Sequence, residues 1–157
     1  MKILDNVEKI CSFSVNDWHL AVMLLPHIKE HLEKNNEVNV FFQENFEEKI
    51  NTLLEKLNLK EDMKNKLKNI NWNNNEFDCL RDNNNVKKII FVYGSINYIR
   101  NIDLQIENIA SENKDITYKI VNCFNTNEIG NNTLGILREH SKVLNTAGLI
   151  NSKEYIG

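Results

Sequence analysis

Glycine is scarce in this sequence, since the 157 residues contain five glycines and none of them precedes Gly94. The scarcity matters at the first strand-to-helix turn, from Ser14 to Trp18. There a nucleotide-binding α/β protein places glycines, and often a Lys-Ser/Thr pair, so that backbone N–H groups surround phosphates. This turn instead carries Asp17, whose carboxylate would repel a phosphate. The sequence therefore predicts the turn of a nucleotide-binding fold without its phosphate-binding chemistry.

Other features are missing as well. The three cysteines are widely spaced and form no CxxC pair, which favours a reducing compartment over a disulfide framework or a zinc site. No apolar run approaches the ~18 residues of a membrane span, and no signal peptide opens the chain. The net charge of −3 argues against direct nucleic-acid binding, which normally needs a clustered basic surface. We expect a cytoplasmic protein that contacts neither membrane nor nucleic acid.

Apolar runs typical of strands alternate with amphipathic stretches typical of helices. The predicted strands cover 8–14, 37–42, 86–93 and 116–124, with a short one at 70–72. The predicted helices cover 16–34, a segment from Asn45 through Leu57, 60–69, 96–109, and a segment from Asn125 that carries Leu134, Leu137 and Leu144. This alternation predicts a three-layer α/β fold, in which a mainly parallel sheet has helices on both faces. We interpret residues 1–157 as one domain.

Local signals support these helices. Asn16 is a plausible N-cap for the first helix, and Asn45 with Glu48 forms a capping box at the start of the second. Pro26 lies inside the first helix, where the loss of a backbone donor predicts a kink near Val22.

Polar and aromatic side chains follow the predicted strands at the point where each strand ends. Ligands of an open parallel sheet bind at the carboxyl ends of its strands, and these ends carry Asp17, Gln43, Glu44, Gly94 and Ser95. The mixture suits a small, weakly polar ligand better than a phosphate. The predicted ligand-binding residues are Trp18, His19, Tyr93, Asn125 and His140. The alternative is that each is an ordinary loop or capping residue.

Metal and nucleophile chemistry have weaker signals. His27 and His31 stand four residues apart, a spacing that places two potential metal ligands on one helix face. No third ligand is identifiable, so we interpret the pair as part of the polar outer face of the helix. Cys11 and Cys123 lie in predicted strands, where a small buried hydrophobic side chain is the default interpretation. We predict no metal, no other cofactor and no catalytic residue.

Several segments resemble one known family. Near the start these are Ile10-Cys11-Ser12-Phe13, Leu24-Leu25-Pro26-His27-Ile28 and His31-Leu32-Glu33; further on they are Glu107-Asn108, Val121-Asn122-Cys123-Phe124-Asn125, His140-Ser141-Lys142-Val143-Leu144, Gly148, Asn151 and Tyr155. Their order and spacing resemble the MEDS family, the methanogen/methylotroph, dichloromethane-regulator sensory domains. His27, His31 and Ser141 replace a phenylalanine, a glycine and a proline of the family pattern.

The resemblance implies a RecA/KaiC-like core that has lost its phosphate-binding loop and serves for sensing. Family members are proposed to recognise small hydrocarbon derivatives and are often fused to DNA-binding or kinase domains. The first hypothesis is therefore a non-enzymatic sensor that binds a small organic ligand and signals to a separate protein, such as a kinase or a transcription regulator.

Two rival hypotheses remain. The chain could be a ligand-independent adaptor that binds its partner through the lysines at 60, 64 and 68 and through Trp72. It could also be a residual nucleotide hydrolase, which Asp17 disfavours. Assembly into a homo-oligomer is left open.

Overall fold

The computed structural model describes residues 4–145 and 148–156, without the side chains of Tyr155 and Ile156. Tyr155, one of the residues that carry the family resemblance, therefore has its side chain outside the described part of the chain. Six strands form one sheet: β1 (Val7–Ser14), β2 (Glu37–Phe42), β3 (Lys87–Tyr93), β4 (Thr117–Asn125), β5 (Lys142–Asn145) and β6 (Gly148–Asn151). The helices are α1 (Asp17–Glu33), α2 (Glu47–Lys56), α3 (Glu61–Lys68), α4 (Ile96–Glu112), α5 (Thr126–Ile129), α6 (Thr133–Arg138) and α7 (Ser152–Ile156).

The strand order is β2-β3-β4-β1-β5-β6. Neighbouring strands are parallel except β6, which runs antiparallel to β5. Helices α1, α2 and α3 pack against one face of the sheet, and α4, α5 and α6 pack against the other. The predicted three-layer α/β fold with a mainly parallel sheet is confirmed.

The topology places a switch in strand order beside the first strand. From β1 the chain crosses to β2 at the far edge of the sheet, and then returns through β3 to β4. The helices that follow β1 and β4 therefore leave these adjacent strands toward opposite faces. Such a switch point opens a crevice at the carboxyl ends of the strands, where ligands of this fold class bind.

The first helix shows how the sequence specifies its elements. Asn16 accepts a hydrogen bond from the His19 amide at 2.8 Å, which satisfies a backbone donor at the start of α1 as predicted. The helix buries the side chains of Leu20, Ala21, Met23, Leu24, Leu25 and Ile28. It continues through Pro26 to Glu33; the kink near Val22 stays a prediction.

The carboxyl-terminal helix was predicted wrongly. The helical segment that begins after Asn125 ends at Arg138, and Gly130 interrupts it with a φ of +53°. Leu144 instead lies in β5, where it pairs with Ser12 of β1 and is 2% exposed. A four-residue strand is too short to show a period of its own, so its apolar residues matched the preceding helical pattern.

Two shorter predictions also fail. Residues 70–72 form no strand, because Trp72 turns inward and its indole N–H donates to the Leu67 carbonyl at 3.0 Å. The predicted capping box is absent as well, since α2 begins at Glu47 with Phe46 at the N-cap. Asn45 accepts from the Glu47 amide in a tight turn before the helix.

Candidate functional site

A cavity of about 190 Å³ lies at the carboxyl edge of the sheet. Residues that follow each of β1, β2, β3 and β4 contribute to it, as the topology requires. Its walls are formed by Asp17, Gln43, Glu44, Asn45, Phe46, Lys49, Tyr93, Gly94, Ser95, Asn125 and Glu128. The cavity is therefore built where the sequence predicted ligand contacts.

Asp17 is the centre of a three-residue cluster in this cavity. Its Oδ1 accepts a hydrogen bond from the Tyr93 hydroxyl at 2.7 Å, and its Oδ2 pairs with Lys49 Nζ. Partial burial disfavours the ionised carboxylate, but the hydrogen bonds from Lys49 and Tyr93 and the Lys49 charge outweigh it. They hold the pKa of Asp17 below its usual range. The cluster joins the first turns of α1 and α2 to the end of β3.

Tyr93 has an environment that keeps its hydroxyl protonated. Burial raises the pKa of Tyr93, and the hydrogen bond to the Asp17 carboxylate raises it further; contact with the Asn125 side chain acts in the opposite direction. A phenol in this state serves as a hydrogen-bond donor and is a poor general base near neutral pH.

The adjacent turn is fixed by close contact with Gln43. The Gln43 side-chain oxygen accepts a hydrogen bond from the Ser95 amide at 2.8 Å, and the Gln43 backbone N–H donates to the Tyr93 carbonyl at 2.8 Å. A Cβ at Gly94 would lie 2.7 Å from Gln43 Oε1 and 2.7 Å from a Tyr98 ring carbon. Glycine is therefore required at position 94 because Gln43 and Tyr98 pack closely against its backbone. Phosphate binding is not needed to explain this glycine.

Backbone donors at these turns have acceptors within the protein. The Val15 amide donates to His19 Nδ1 at 3.1 Å, and the Tyr98 amide donates to Ser95 Oγ at 3.1 Å. The Asn127 amide likewise donates to Asn125 Oδ1 at 2.8 Å. A phosphate cradle needs such N–H groups free and converging, so this edge is poorly suited to a nucleotide.

The cavity is acidic and partly aromatic. Among its described lining residues, the carboxylates of Asp17, Glu44 and Glu128 and the ammonium of Lys49 give a formal charge of −2. Glu44 and Glu128 are exposed and form no ion pair within the described part of the chain. The Phe46 ring lies 6.2 Å from the Tyr93 ring in an edge-on arrangement. Such walls can accept hydrogen bonds, attract positive charge and cover a small apolar group.

The predicted ligand-binding residues divide into two groups. Tyr93 and Asn125 line the cavity, whereas Trp18, His19 and His140 do not. Trp18 is 45% exposed on the outer side of α1. His19 accepts the Val15 amide at the turn itself.

His140 lies under the opposite face of the sheet. Its Nδ1–H donates to the Ile136 carbonyl at 2.6 Å, so its Nε2 accepts from Asn122 Nδ2 at 3.0 Å. Burial lowers the pKa of His140 to about 4, although the Ile136 hydrogen bond partly opposes this. His140 is therefore a neutral core histidine near pH 7.

Phe46, Lys49 and Glu128 line the cavity but were not among the predicted ligand-binding residues. Lys49 and Asp17 are 32 residues apart in the sequence, and no local sequence pattern predicts their contact. A sequence signal did exist for Phe46, which directly follows the polar residues at the end of β2.

His27 and His31 do not form the polar outer face that the sequence suggested. His31 is 4% exposed, and the His27 ring packs edge-on against Phe91 at 6.0 Å. Their Nε2 atoms are 3.3 Å apart. Burial lowers the pKa of each to about 4, with nearby Lys119 adding to the effect. Within residues 4–145 and 148–156, no group of three or more His, Cys, Asp or Glu side chains could hold a metal ion.

The buried cysteines are poor nucleophiles. Burial raises the pKa of Cys11 and of Cys123 to about 12, so both remain protonated thiols near pH 7. Both pack within the core on either side of the sheet.

A second cavity lies away from the strand ends. It is larger, about 490 Å³, and lies between the 75–81 segment and α4. Its walls are polar side chains such as Glu76, Gln105 and Asn108. No strand end reaches it, so we take the smaller cavity as the candidate site.

Comparisons with known proteins add no assignment, since no protein-family model, no curated protein and no solved structure matches this chain. Among the described residues, none of the helices has the length and apolar character needed to cross a membrane.

Proposed function

We propose that this protein is a non-enzymatic sensory domain that binds a small organic ligand in the carboxyl-edge cavity and signals to a separate protein. The observation that carries the proposal is the Asp17–Tyr93–Lys49 cluster, placed at the topological switch point of a parallel sheet. The proposal includes membership of the MEDS family, since the resemblance to that family implies a RecA/KaiC-like core that has lost its phosphate-binding loop. The free cysteines are in keeping with a cytoplasmic location.

The cluster offers a way to transmit binding. Asp17 begins α1, Lys49 lies in the first turn of α2, and Tyr93 ends β3. A ligand that competes for any of these side chains changes the contacts between three elements. It then favours one arrangement of the two helices over another, which is a population shift.

Helix α1 provides a surface on which a partner could detect that shift. Val15, Trp18 and Val22 are 54%, 45% and 53% exposed. Trp18 and Val22 lie four residues apart on one side of the helix, and Val15 belongs to the turn before it. Because Asp17 lies between Val15 and Trp18 in the sequence and also lines the cavity, this surface is directly connected to the cavity.

A thermal-denaturation screen tests the proposal. The panel contains cationic, neutral and anionic compounds of five to eight non-hydrogen atoms, a size range of about that of benzene, which fills a cavity of roughly 150 Å³. We expect at least one class to raise the melting temperature in a concentration-dependent way, because a ligand that binds only the folded state stabilises it.

A matched pair of variants locates the effect. Tyr93→Phe removes the hydroxyl that donates to Asp17 in the cavity, whereas Tyr98→Phe removes one that does not line it. The stabilisation should shrink in the first variant and persist in the second. A panel without any stabilising compound contradicts the proposal.

The exposed side of α1 also favours a second candidate, the ligand-independent adaptor. In that case capture of a partner by immobilised protein is unaffected by added ligand and is lost on Trp18→Ser.

Trp72 is 2% exposed, so the partner surface that the sequence suggested around it is wrong. A fluorescent-nucleotide titration with Mg²⁺ tests the residual hydrolase, for which we expect no binding.

A further inference from the structure

The cavity already surrounds a positively charged group that belongs to the protein. Lys49 Nζ lies 5.6 Å from the centre of the Phe46 ring and pairs with the Asp17 carboxylate. Phe46 is 3% exposed, and its ring packs against Phe42, Trp72 and Tyr93. An ammonium placed over a fixed aromatic face and beside a carboxylate is the arrangement by which proteins recognise organic cations.

The remaining charges of the cavity select the same class of ligand. Among the described residues that line it, Lys49 is the only one with a basic side chain, and its charge is matched by Asp17. Glu44 and Glu128 are left unpaired within the described part of the chain. An unbalanced negative potential in a cleft concentrates cations and repels anions.

The position of Lys49 leaves it displaceable. Its side chain is 40% exposed and extends from the first turn of a surface helix. Its ammonium can therefore swing into solvent and become hydrated. Asp17, whose side chain is 29% exposed and which is held by Tyr93, would remain in place to receive another ammonium.

We propose that the ligand of this cavity is a small organic ammonium compound whose cationic group replaces Lys49 Nζ at Asp17 and Phe46. The inference rests on the proposed function, because it names the ligand class of the same site. Release of Lys49 separates the first turn of α2 from the first turn of α1, and a neutral or anionic ligand cannot cause this exchange.

Three probes of similar size and different charge test the inference. Butylammonium, 1-butanol and butyrate are titrated separately into uniformly ¹⁵N-labelled protein, and dissociation constants are taken from amide shifts of residues 16–19, 43–49 and 93–95. We expect butylammonium to bind roughly tenfold more tightly than 1-butanol, since loss of a charged partner at such a site typically costs that much or more. Butyrate should give no shifts at these amides.

Variants separate replacement of Lys49 from simple attraction. Lys49→Met removes the competing ammonium and should tighten butylammonium binding by roughly three- to tenfold. Lys56→Met, an exposed lysine at the other end of the same helix, should leave it unchanged. Asp17→Asn should weaken binding roughly tenfold or more. Asp62→Asn, which removes a carboxylate from the first turn of α3, should have no effect.

Each contrary result has a defined meaning. If 1-butanol or butyrate binds in the cavity as tightly as butylammonium, the ammonium assignment is overturned and the proposed function stands. If Lys49→Met weakens butylammonium binding, the replacement of Lys49 is overturned. If no probe binds the wild-type protein or the Lys49→Met variant, the inference fails, and the wider panel alone decides the proposed function. The Lys49→Met comparison remains decisive if Asp17→Asn does not fold.

Discussion

Gly94 shows how one residue sets the geometry of the cavity edge. Its missing side chain allows the Gln43 side chain to reach the Ser95 amide. The fixed turn in turn holds Tyr93 where its hydroxyl meets Asp17. The requirement comes from close packing, since Gly94 does not have a positive φ.

Gly94→Ala should therefore destabilise the protein. The added Cβ would lie 2.7 Å from both Gln43 Oε1 and the Tyr98 ring, and crowding of this kind typically costs about 1–3 kcal/mol. Chemical denaturation measures the change in the free energy of unfolding.

Gly135→Ala is the matched control. Gly135 lies within α6, and a Cβ added there would have no neighbouring atom within 4 Å. Alanine should stabilise the helix there by about 0.5–1 kcal/mol. Equal and small effects at both glycines would contradict the packing role of Gly94.

The first helix links the cavity to the outer surface at the scale of elements. Its N-cap residue, Asn16, holds the turn from which Asp17 enters the cavity. The same helix carries the exposed Trp18 and the buried leucines that fix it to the sheet. In the proposed function, ligand binding and partner contact therefore both involve the first turn of α1.

Asn16→Ala should lower the free energy of unfolding by about 1 kcal/mol, because the His19 amide loses its acceptor. Asn16→Asp keeps an acceptor and adds a negative charge at the helix N-terminus, so it should retain wild-type stability or exceed it slightly. Urea denaturation of the two variants distinguishes a cap from an incidental contact. Equal losses in both would contradict the cap.

The elements differ in how far their sequences reveal them. The sequence predicts β3 from a nearly continuous apolar run, and it predicts α4 because apolar residues repeat at helical spacing over several turns. Leu144 was misplaced because β5 is held by pairing with β1 rather than by a pattern of its own. The sequence suggests a partner surface at Trp72 and does not reveal its burial, because the indole partner, the Leu67 carbonyl, becomes close only once the chain turns.

The candidate site was predictable in part for a similar reason. The topology rule for parallel sheets placed Tyr93 and Asn125 at the correct edge, and both line the cavity. Lys49 comes from a helix that follows the far edge strand. Its contact with Asp17 depends on the arrangement of several elements, which no local spacing encodes.

At the scale of the whole molecule, His31 and His140 are buried and His27 is partly buried. Burial lowers the pKa of His27, His31 and His140 from an ordinary value of 6.5 to about 4. Asp103 behaves in the opposite sense: burial raises the pKa of its carboxyl to about 6, against the pull of Lys9. We therefore expect these groups to make the stability of the fold depend on pH.

Acidification should destabilise the protein between pH 6.5 and 4. In that range the unfolded chain takes up protons on the three histidines before the folded protein does, so stability falls. Asp103 is protonated first in the folded protein and partly compensates. We expect the free energy of unfolding to be lower at pH 4.5 than at pH 7 by at least about 2 kcal/mol.

Single-histidine variants test the origin of this slope. His140→Gln should flatten the pH dependence, because the buried imidazole that resists protonation is gone. His31→Gln should flatten it as well, because burial also lowers the pKa of that imidazole. A slope that survives in His140→Gln at full size would show that other groups cause it.

A crystal structure of the protein with the most strongly stabilising compound of the panel would show whether the carboxyl-edge cavity binds a small molecule. We expect electron density for that compound within contact distance of Asp17, Tyr93 and Phe46. Density in the larger cavity beside α4 instead, or an unchanged Asp17–Lys49 pair with no ligand beside it, would show that the carboxyl-edge cavity is not the binding site.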